Sequence, residues 1–311
     1  MDSPELHILA HGLLFPEGPV FCADGSIVLV EIARATVTRI YPDGTVAVVA
    51  ETGGGPNGAA LGPDGALYVC NNGGFEWLET QDLLRPTLQA SNYSGGRIER
   101  LDLVTGAIRV LYTSCEGQPL RGPNDIVFDT HGGFYFSDMG KVRMHERDHG
   151  ALYYASIDGT HITTVAAPLL APNGVGLSPD GRILYVAETD TARLWAFDIQ
   201  APGVVRKLPW PSPHGGRLVA GLGGYQRFDS LAVDEAGVIC VATLVSGVIS
   251  EISPEGTLLR QLSMPDPYPT NICFGGDDLR TAYITLSGSG KLAAMRWPSA
   301  GLPLNFAGRA V

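Results

Sequence analysis

Residues 172–189 read PNGVGLSPDGRILYVAET: a short apolar segment, a Pro-Asp-Gly turn, then about six residues dominated by Ile, Leu, Tyr and Val. Aspartate and glycine supply the dihedrals of a tight turn, and branched and aromatic residues favour extended chain, so the stretch predicts a β-hairpin. The phrase recurs. It stands as ADGSIVLVEI at 23–32, GPDGALYVCNN at 62–72, DTHGGFYFSDM at 129–139, DEAGVICVATL at 234–244 and GGDDLRTAYITL at 275–286. Downstream, segments such as VTRIYPDGTVAVV, GRIERLDLVTGAIRVLY and VISEISPEGTLLRQL add a second pair of strands around another turn. Four short antiparallel strands per unit result. Successive core turns lie about 40, 67, 49, 55 and 42 residues apart, the spacing of propeller blades with unequal loops. A sandwich also uses short strands, but it does not require four-strand units repeated six times. The fold class is all-β, a six-bladed β-propeller with four-stranded blades.

Composition agrees. Glycine and proline number 40 and 22 of 311 residues, which is many turns. The formal charge of −11 disfavours a surface that tracks phosphates, so no nucleic-acid partner is expected. No apolar run approaches the length that spans a bilayer, and the amino end lacks the pattern of a secretion signal, so a cytoplasmic protein without a membrane partner is expected. The five cysteines form no CxxC pair and sit mostly in apolar runs, as buried thiols do. No interdomain linker interrupts the repeats, and each blade needs a neighbour to bury its faces, so residues 1–311 form one domain. Its longest insertions fall near 74–96, where the sequence allows a helical turn, and near 140–150. Both are expected to shape a rim. A monomer and a homodimer fit the sequence equally well.

In a propeller the first strand of each blade lines the axis. The residues entering those strands are Glu17 in FPEGPV, Asn57 in GPNGAAL, Asn124 and Asp125 in GPNDIVF, Asn173 in APNGVGL, Asp229 in RFDSLAVD and Asn271 in PTNICF. Recurrence at one register aims several oxygen-bearing side chains at one point. Two carboxylates, Glu17 and Asp229, with amide oxygens from Asn124 and Asn173 make a hard-oxygen set suited to a divalent cation, Ca²⁺ before Mg²⁺, Mn²⁺, Zn²⁺ or Fe²⁺. His145-Glu146-Arg147-Asp148-His149 matches HExxH, but glycines flank it and a strand follows, leaving no room for the helix that zinc chemistry needs; it reads as a rim loop.

The ordered series FPEGPVFCADGSIVLVE, GPNDIVFDTHGGFYFSD, PNGVGLSPDGRILYVAET, FDSLAVDEAGVICVA and TNICFGGDDLRTAYIT resembles the six-bladed SMP-30/gluconolactonase/LRE-like family over about residues 8–296. The resemblance implies a divalent-metal hydrolase acting on a lactone, commonly a sugar lactone, with a central metal held by Glu17, Asn173 and Asp229, and with Asn124 as ligand or substrate contact. In that reading the cation polarises the carbonyl and an activated water attacks. Asp229 ranks first as base and Asp125 second, while Asn72, Glu76, Arg121, Asn124, Tyr225 and Asn271 are the expected polar contacts to a small-molecule lactone. Phe75, Trp77 and Phe228 are expected apolar walls. The competing classes are a metal-dependent organophosphate or ester hydrolase and a noncatalytic metal- or ligand-binding propeller.

Overall fold

The structure is a computed structural model that describes residues 5–80 and 82–307. Six antiparallel sheets stand around an axis as the blades of a propeller. Blade 1 is Pro16–Phe21, Ile27–Glu31, Thr36–Ile40 and Val46–Glu51, ordered from axis to rim. Blade 2 is Pro56–Leu61, Leu67–Asn71, Arg97–Leu101 and Ile108–Tyr112, and blade 3 is Pro123–Phe128, Phe134–Asp138, Gly150–Ala155 and Ile162–Leu169. Blade 4 departs from the expected four strands: Val204–Arg206 and Arg217–Gly221 both pair with its third strand, Arg193–Ala201. Blade 5 runs from Arg227–Val233 to Leu258–Ser263. Blade 6 takes three strands from the end of the chain, beginning with Pro269–Gly275, and its outermost from the beginning, where Leu6–Ala10 pairs with Lys291–Arg296. That pairing closes the ring.

The period-2 alternation of each second strand explains how the blades stick together. Leu67 and Val69 point into a hydrophobic cluster shared with blade 1, whereas Tyr68 and Cys70 point into one shared with blade 3. Leu184 and Val186 face blade 3 while Tyr185 and Ala187 face blade 5, and Ile239 and Val241 face blade 4 while Cys240 and Ala242 face blade 6. A sixth cluster joins Leu292 of blade 6 to Ile27 and Leu29 of blade 1. Both faces of these strands are buried, which is why they read as continuous apolar runs rather than as alternation. Each fully buried Leu, Ile or Val stabilises by roughly 1.5–3 kcal/mol. The outer strands alternate instead, as in Leu258–Ser263. All five cysteines are buried and free. Among the described residues no helix is long and apolar enough to cross a membrane.

Among its described residues, the insertion at 74–96 forms no helical turn. Phe75–Glu79 and Leu84–Gln89 pair as an antiparallel hairpin, because Phe75 and Trp77 alternate with Glu76 and find β partners in Gln89 and Pro86. The 140–150 segment is a loop pinned by a Val142–Arg147 bridge, with Arg143 paired to Asp148 and Arg147 to Asp190. No helix supports HERDH, as expected.

Candidate active site

Every inner strand carries a register irregularity near its start: between Glu17 and Val20, Pro56 and Ala59, Pro123 and Ile126, Pro172 and Val175, Phe228 and Leu231, and Pro269 and Asn271. A bulge leaves a residue out of the ladder and re-aims its side chain. Here the recurrent defect falls at or beside the polar residue of each blade. Glycine follows that residue in three blades for a steric reason. A Cβ on Gly18 would lie 2.6 Å from Asn57 O, one on Gly58 2.4 Å from Asn124 O, and one on Gly174 2.7 Å from Leu231 N. Neighbouring inner strands therefore approach to backbone contact just where the polar side chains converge.

Glu17, Asn57, Asn124, Asp125, Asn173, Asp229 and Asn271 are all buried. Glu17 Oε2 accepts from its own neighbour Gly18 N at 2.7 Å and from Asn271 Nδ2 at 2.8 Å. Asn271 Oδ1 accepts from Ile272 N, so both ends of that amide are engaged. Asn173 Nδ2 donates to Thr189 Oγ1 at 3.1 Å, and its Oδ1 accepts from Ser230 Oγ at 3.4 Å. Asp125 turns Oδ1 to Ile126 N and Oδ2 to Val175 N, at 2.9 and 3.1 Å. Asn124 is the loosest member: Nδ2 has only the weak acceptor Met139 Sδ at 3.2 Å, and buried Oδ1 has no partner.

Burial is the largest cause of the upward pKa shift at each of the three carboxyls. The Glu17 carboxyl is raised despite the Asn271 and Gly18 bonds. The Asp125 carboxyl is pushed up to about 7 by burial and then by the charge of Glu17. The Asp229 carboxyl is raised well above the usual range by burial and the same glutamate, against a lowering bond from Asn173. These three acids therefore sense one another in one buried cluster. Below them the axial channel widens into a cavity of about 800 Å³ lined by Val20, Val175, Leu231 and Ile272 among others, with Asp125 and Asn271 at its roof.

The expected divalent-cation centre requires correction. Among the described residues no group of three or more His, Cys, Asp or Glu is placed to hold a metal ion. Of the four expected ligands only Glu17 and Asp229 are acids. Asn173 is engaged by Thr189 and Ser230, the nearby Asp125 carboxylate is committed to two backbone amides, and Glu17 already accepts two donors. The arrangement therefore does not support the expected catalytic Ca²⁺, nor Zn²⁺, Mn²⁺, Mg²⁺ or Fe²⁺ in its place.

The expected substrate contacts divide. Asn72 is buried, with Oδ1 accepting from Gly74 N at 2.9 Å and Lys141 Nζ at 3.0 Å, and with Nδ2 unpartnered. Glu76 is exposed and accepts from Ser91 N, a bond that braces its own insertion. Arg121 is exposed; its backbone serves as donor to Asp138 and acceptor from Tyr93. Tyr225 is 77% exposed on the loop before Arg227–Val233, outside the polar ring. Phe228 is fully buried in the contact between blades 4 and 5 and forms no wall of the site. Sequence reasoning gave no role to Met139, Thr189, Ser230 and Lys141: Met139 and Thr189 stand just past the second strands of blades 3 and 4, Ser230 follows Asp229 on its inner strand, and Lys141 lies in the 140–150 loop.

A family model described as SMP-30/Gluconolactonase/LRE-like region matches residues 15–288. The gluconolactonase of Zymomonas mobilis subsp. mobilis is 25% identical over 309 residues, covering 92% of this chain and 80% of that protein. Lactonase drp35 of Staphylococcus haemolyticus is 28% identical over 265 residues, covering 85% and 73% respectively. A solved gluconolactonase from Xanthomonas campestris shares the fold with a TM-score of 0.74 and 24% identity, over 95% of this chain and 90% of that one. With the family model spanning all six inner strands, from Pro16–Phe21 to Pro269–Gly275, the chain belongs to the SMP-30/gluconolactonase/LRE-like family.

Proposed function

We propose that this protein hydrolyses a lactone at the axial pocket. The observation that carries the reading is the convergence of the buried acids Glu17, Asp125 and Asp229 beside an amide, Asn124, whose Nδ2 meets only a thioether and whose Oδ1 has no partner. Burial and mutual repulsion raise the pKa values of these acids and disfavour ionising all of them together, so one carboxyl can give a proton while another takes one. Asp229, whose carboxyl is met by the Asn173 side chain, is best placed as the base that deprotonates water. Asp125, held by two amides, is the alternative base or the group that keeps Asp229 charged or neutral. Asn124 Nδ2 is free to leave the thioether of Met139 and donate to the carbonyl oxygen as negative charge grows there. A neighbouring carboxylic acid then protonates the departing ring oxygen, and the hydroxy acid leaves. The names of the two relatives support a cyclic ester as substrate.

The experiment is proton release from a panel of lactones, linear esters and phosphotriesters, with Asp229→Asn measured beside the unaltered protein. Turnover confined to cyclic esters and lost in Asp229→Asn is the expected result. Equal turnover of phosphotriesters moves the assignment to a broader esterase, and no turnover of any class makes the protein a binding propeller.

A further inference from the structure

Lys141 is 1% or less from complete burial, an uncommon state for an amine without a carboxylate bonded to it. It lies just past the end of Phe134–Asp138, on the face of the propeller where the inner strands begin. Its Nζ donates to Asn72 Oδ1 at 3.0 Å and to Gly74 O at 2.9 Å, and it sits 3.7 Å from the centroid of the Phe75 ring and 5.5 Å from that of Tyr93. Gly74, Phe75 and Tyr93 belong to the second-blade insertion, and Asn72 stands two residues before it. The next residue continues the tie, because Val142 O accepts from Gln89 N at 2.8 Å. One lysine of blade 3 thus holds the root of the hairpin formed by Phe75–Glu79 and Leu84–Gln89.

The hairpin does not stand off into solvent. Trp77 packs on Phe15 with ring centroids 5.2 Å apart, and Phe75 meets Trp77 edge-on at 6.3 Å. Phe15 is two residues before Glu17 and takes a left-handed φ of 57°, a conformation that costs energy for a bulky residue and turns its ring toward the hairpin. On the far side Leu84 N donates to Gly288 O, which lies in blade 6. The insertion is therefore fixed to blades 3, 1 and 6 on the face where the inner strands begin, and its Phe75 and Trp77 form one aromatic cluster with Phe15, two residues before Glu17. Polar groups left over for a ligand there are few. Among the buried polar atoms of this region, Asn72 Nδ2 and Asn124 Oδ1 are without a partner. A polyhydroxylated ring asks for a donor or acceptor at each hydroxyl, whereas an apolar substituent asks for a wall like this one.

We infer that Lys141 is a positioning residue for substrate selection: it fixes Asn72 and the Phe75–Trp77–Phe15 wall over Glu17, and the mouth so built selects lactones bearing an alkyl or aryl substituent over sugar lactones. The inference rests on the hydrolase reading for its substrate half, and on geometry alone for the positioning half. Lys141 does not touch the reacting atoms; it acts through Asn72 and Phe75.

Both halves are tested with the full chain. The probes are δ-decalactone and glucono-δ-lactone, and the variants are Lys141→Met, Phe75→Leu and the double variant. Expected are a kcat/KM about tenfold or more in favour of the alkyl lactone, and in Lys141→Met a KM for that lactone raised about tenfold with kcat within about threefold, which is loss of uniform binding. The double variant should be no worse than the poorer single one, because amine and ring act as one unit. Backbone amide exchange in Phe75–Glu79 and Leu84–Gln89 should speed up about tenfold in Lys141→Met while the inner strands keep their protection. Preference for the sugar lactone overturns the substrate half and leaves hydrolysis standing. Failure to turn over either probe or any other lactone ends the hydrolase reading, and with it the substrate half, while exchange still decides the positioning half. Unchanged exchange, or additive effects in the double variant, overturns the role of Lys141.

Discussion

Asn271 Nδ2 donates to Glu17 Oε2 at 2.8 Å across 254 positions of sequence, so the last inner strand orients the acid of the first. The bond is charge-assisted when Glu17 is ionised, and it joins the same two blades that the amino-terminal strand Leu6–Ala10 closes. Ring closure and site assembly are therefore one event.

Asn271→Ala should cost both stability and activity. It leaves Glu17 with one donor fewer in a buried position, a loss of about 1–3 kcal/mol. Urea unfolding should show that decrease, and kcat/KM on the best lactone should fall about tenfold to a hundredfold. An Asn271→Ala protein with full activity would show that the orientation of Glu17 is irrelevant to the chemistry.

Asp229→Asn keeps the size of the side chain and removes its ability to take a proton. Turnover should drop by about 10²–10⁴-fold, the usual contribution of a general base, with circular dichroism and unfolding midpoint close to those of the parent. Retention of a third of the parent turnover would transfer the role of base to Asp125, which Asp125→Asn then checks.

Gly58→Ala should be among the most damaging alanine substitutions in the inner ring. Its Cβ would meet Asn124 O at 2.4 Å and Asp125 Cα at 2.6 Å, both backbone atoms that cannot move aside alone. Overpacking of this kind costs about 1–3 kcal/mol, and displacement of Asn124 should lower activity as well. Gly223→Ala, with nothing within 4 Å, is the matched control and should be nearly neutral. Equal midpoints for the two variants in thermal unfolding would contradict the close approach of blades 2 and 3.

Lys141 makes stability depend on pH in a defined direction. Burial lowers its pKa to about 7, against raising effects from Asp138 and Asp148, whereas a lysine in unfolded chain titrates near about 10.4. Between these values the unfolded chain binds more protons than the folded one, so this group's contribution to stability rises with pH across that window. The penalty for burying it is complete below about pH 7. Lys141→Met should therefore gain relative to the parent most at pH 6 and progressively less toward pH 10, whatever the constant offset from lost bonds. A stability difference that stays flat from pH 6 to 10 in urea titrations would mean that Lys141 keeps an ordinary pKa.

The fold was legible because its signals are local and repeated. Asp-Gly turns before apolar runs such as IVLVE and LYVCN announced the first and second strands of each blade, and the fully buried second strands match those runs. The extra strands of blade 4 and the hairpin at Phe75–Glu79 escaped notice, since a single insertion has no second copy to reveal its register. The axial residues were legible for the same reason as the turns: each sits at one register of a recurring phrase. Tyr225 and Glu76 lacked such a register, and the structure leaves both exposed.

By itself, then, the sequence determined six repeated units and the ring of Glu17, Asn57, Asn124, Asp125, Asn173, Asp229 and Asn271, because period-2 patterning and turn chemistry depend on neighbours along the chain. Only the tertiary structure decided which lone pairs of that ring remain free, that among the described residues no group of three or more His, Cys, Asp or Glu is placed to hold a metal ion, and that Lys141 ties down the root of the aromatic insertion. Those outcomes depend on distances between blades, and hydrogen-bond partners, burial and raised pKa values come from residues as far apart as Glu17 and Asn271, whose proximity no stretch of sequence encodes.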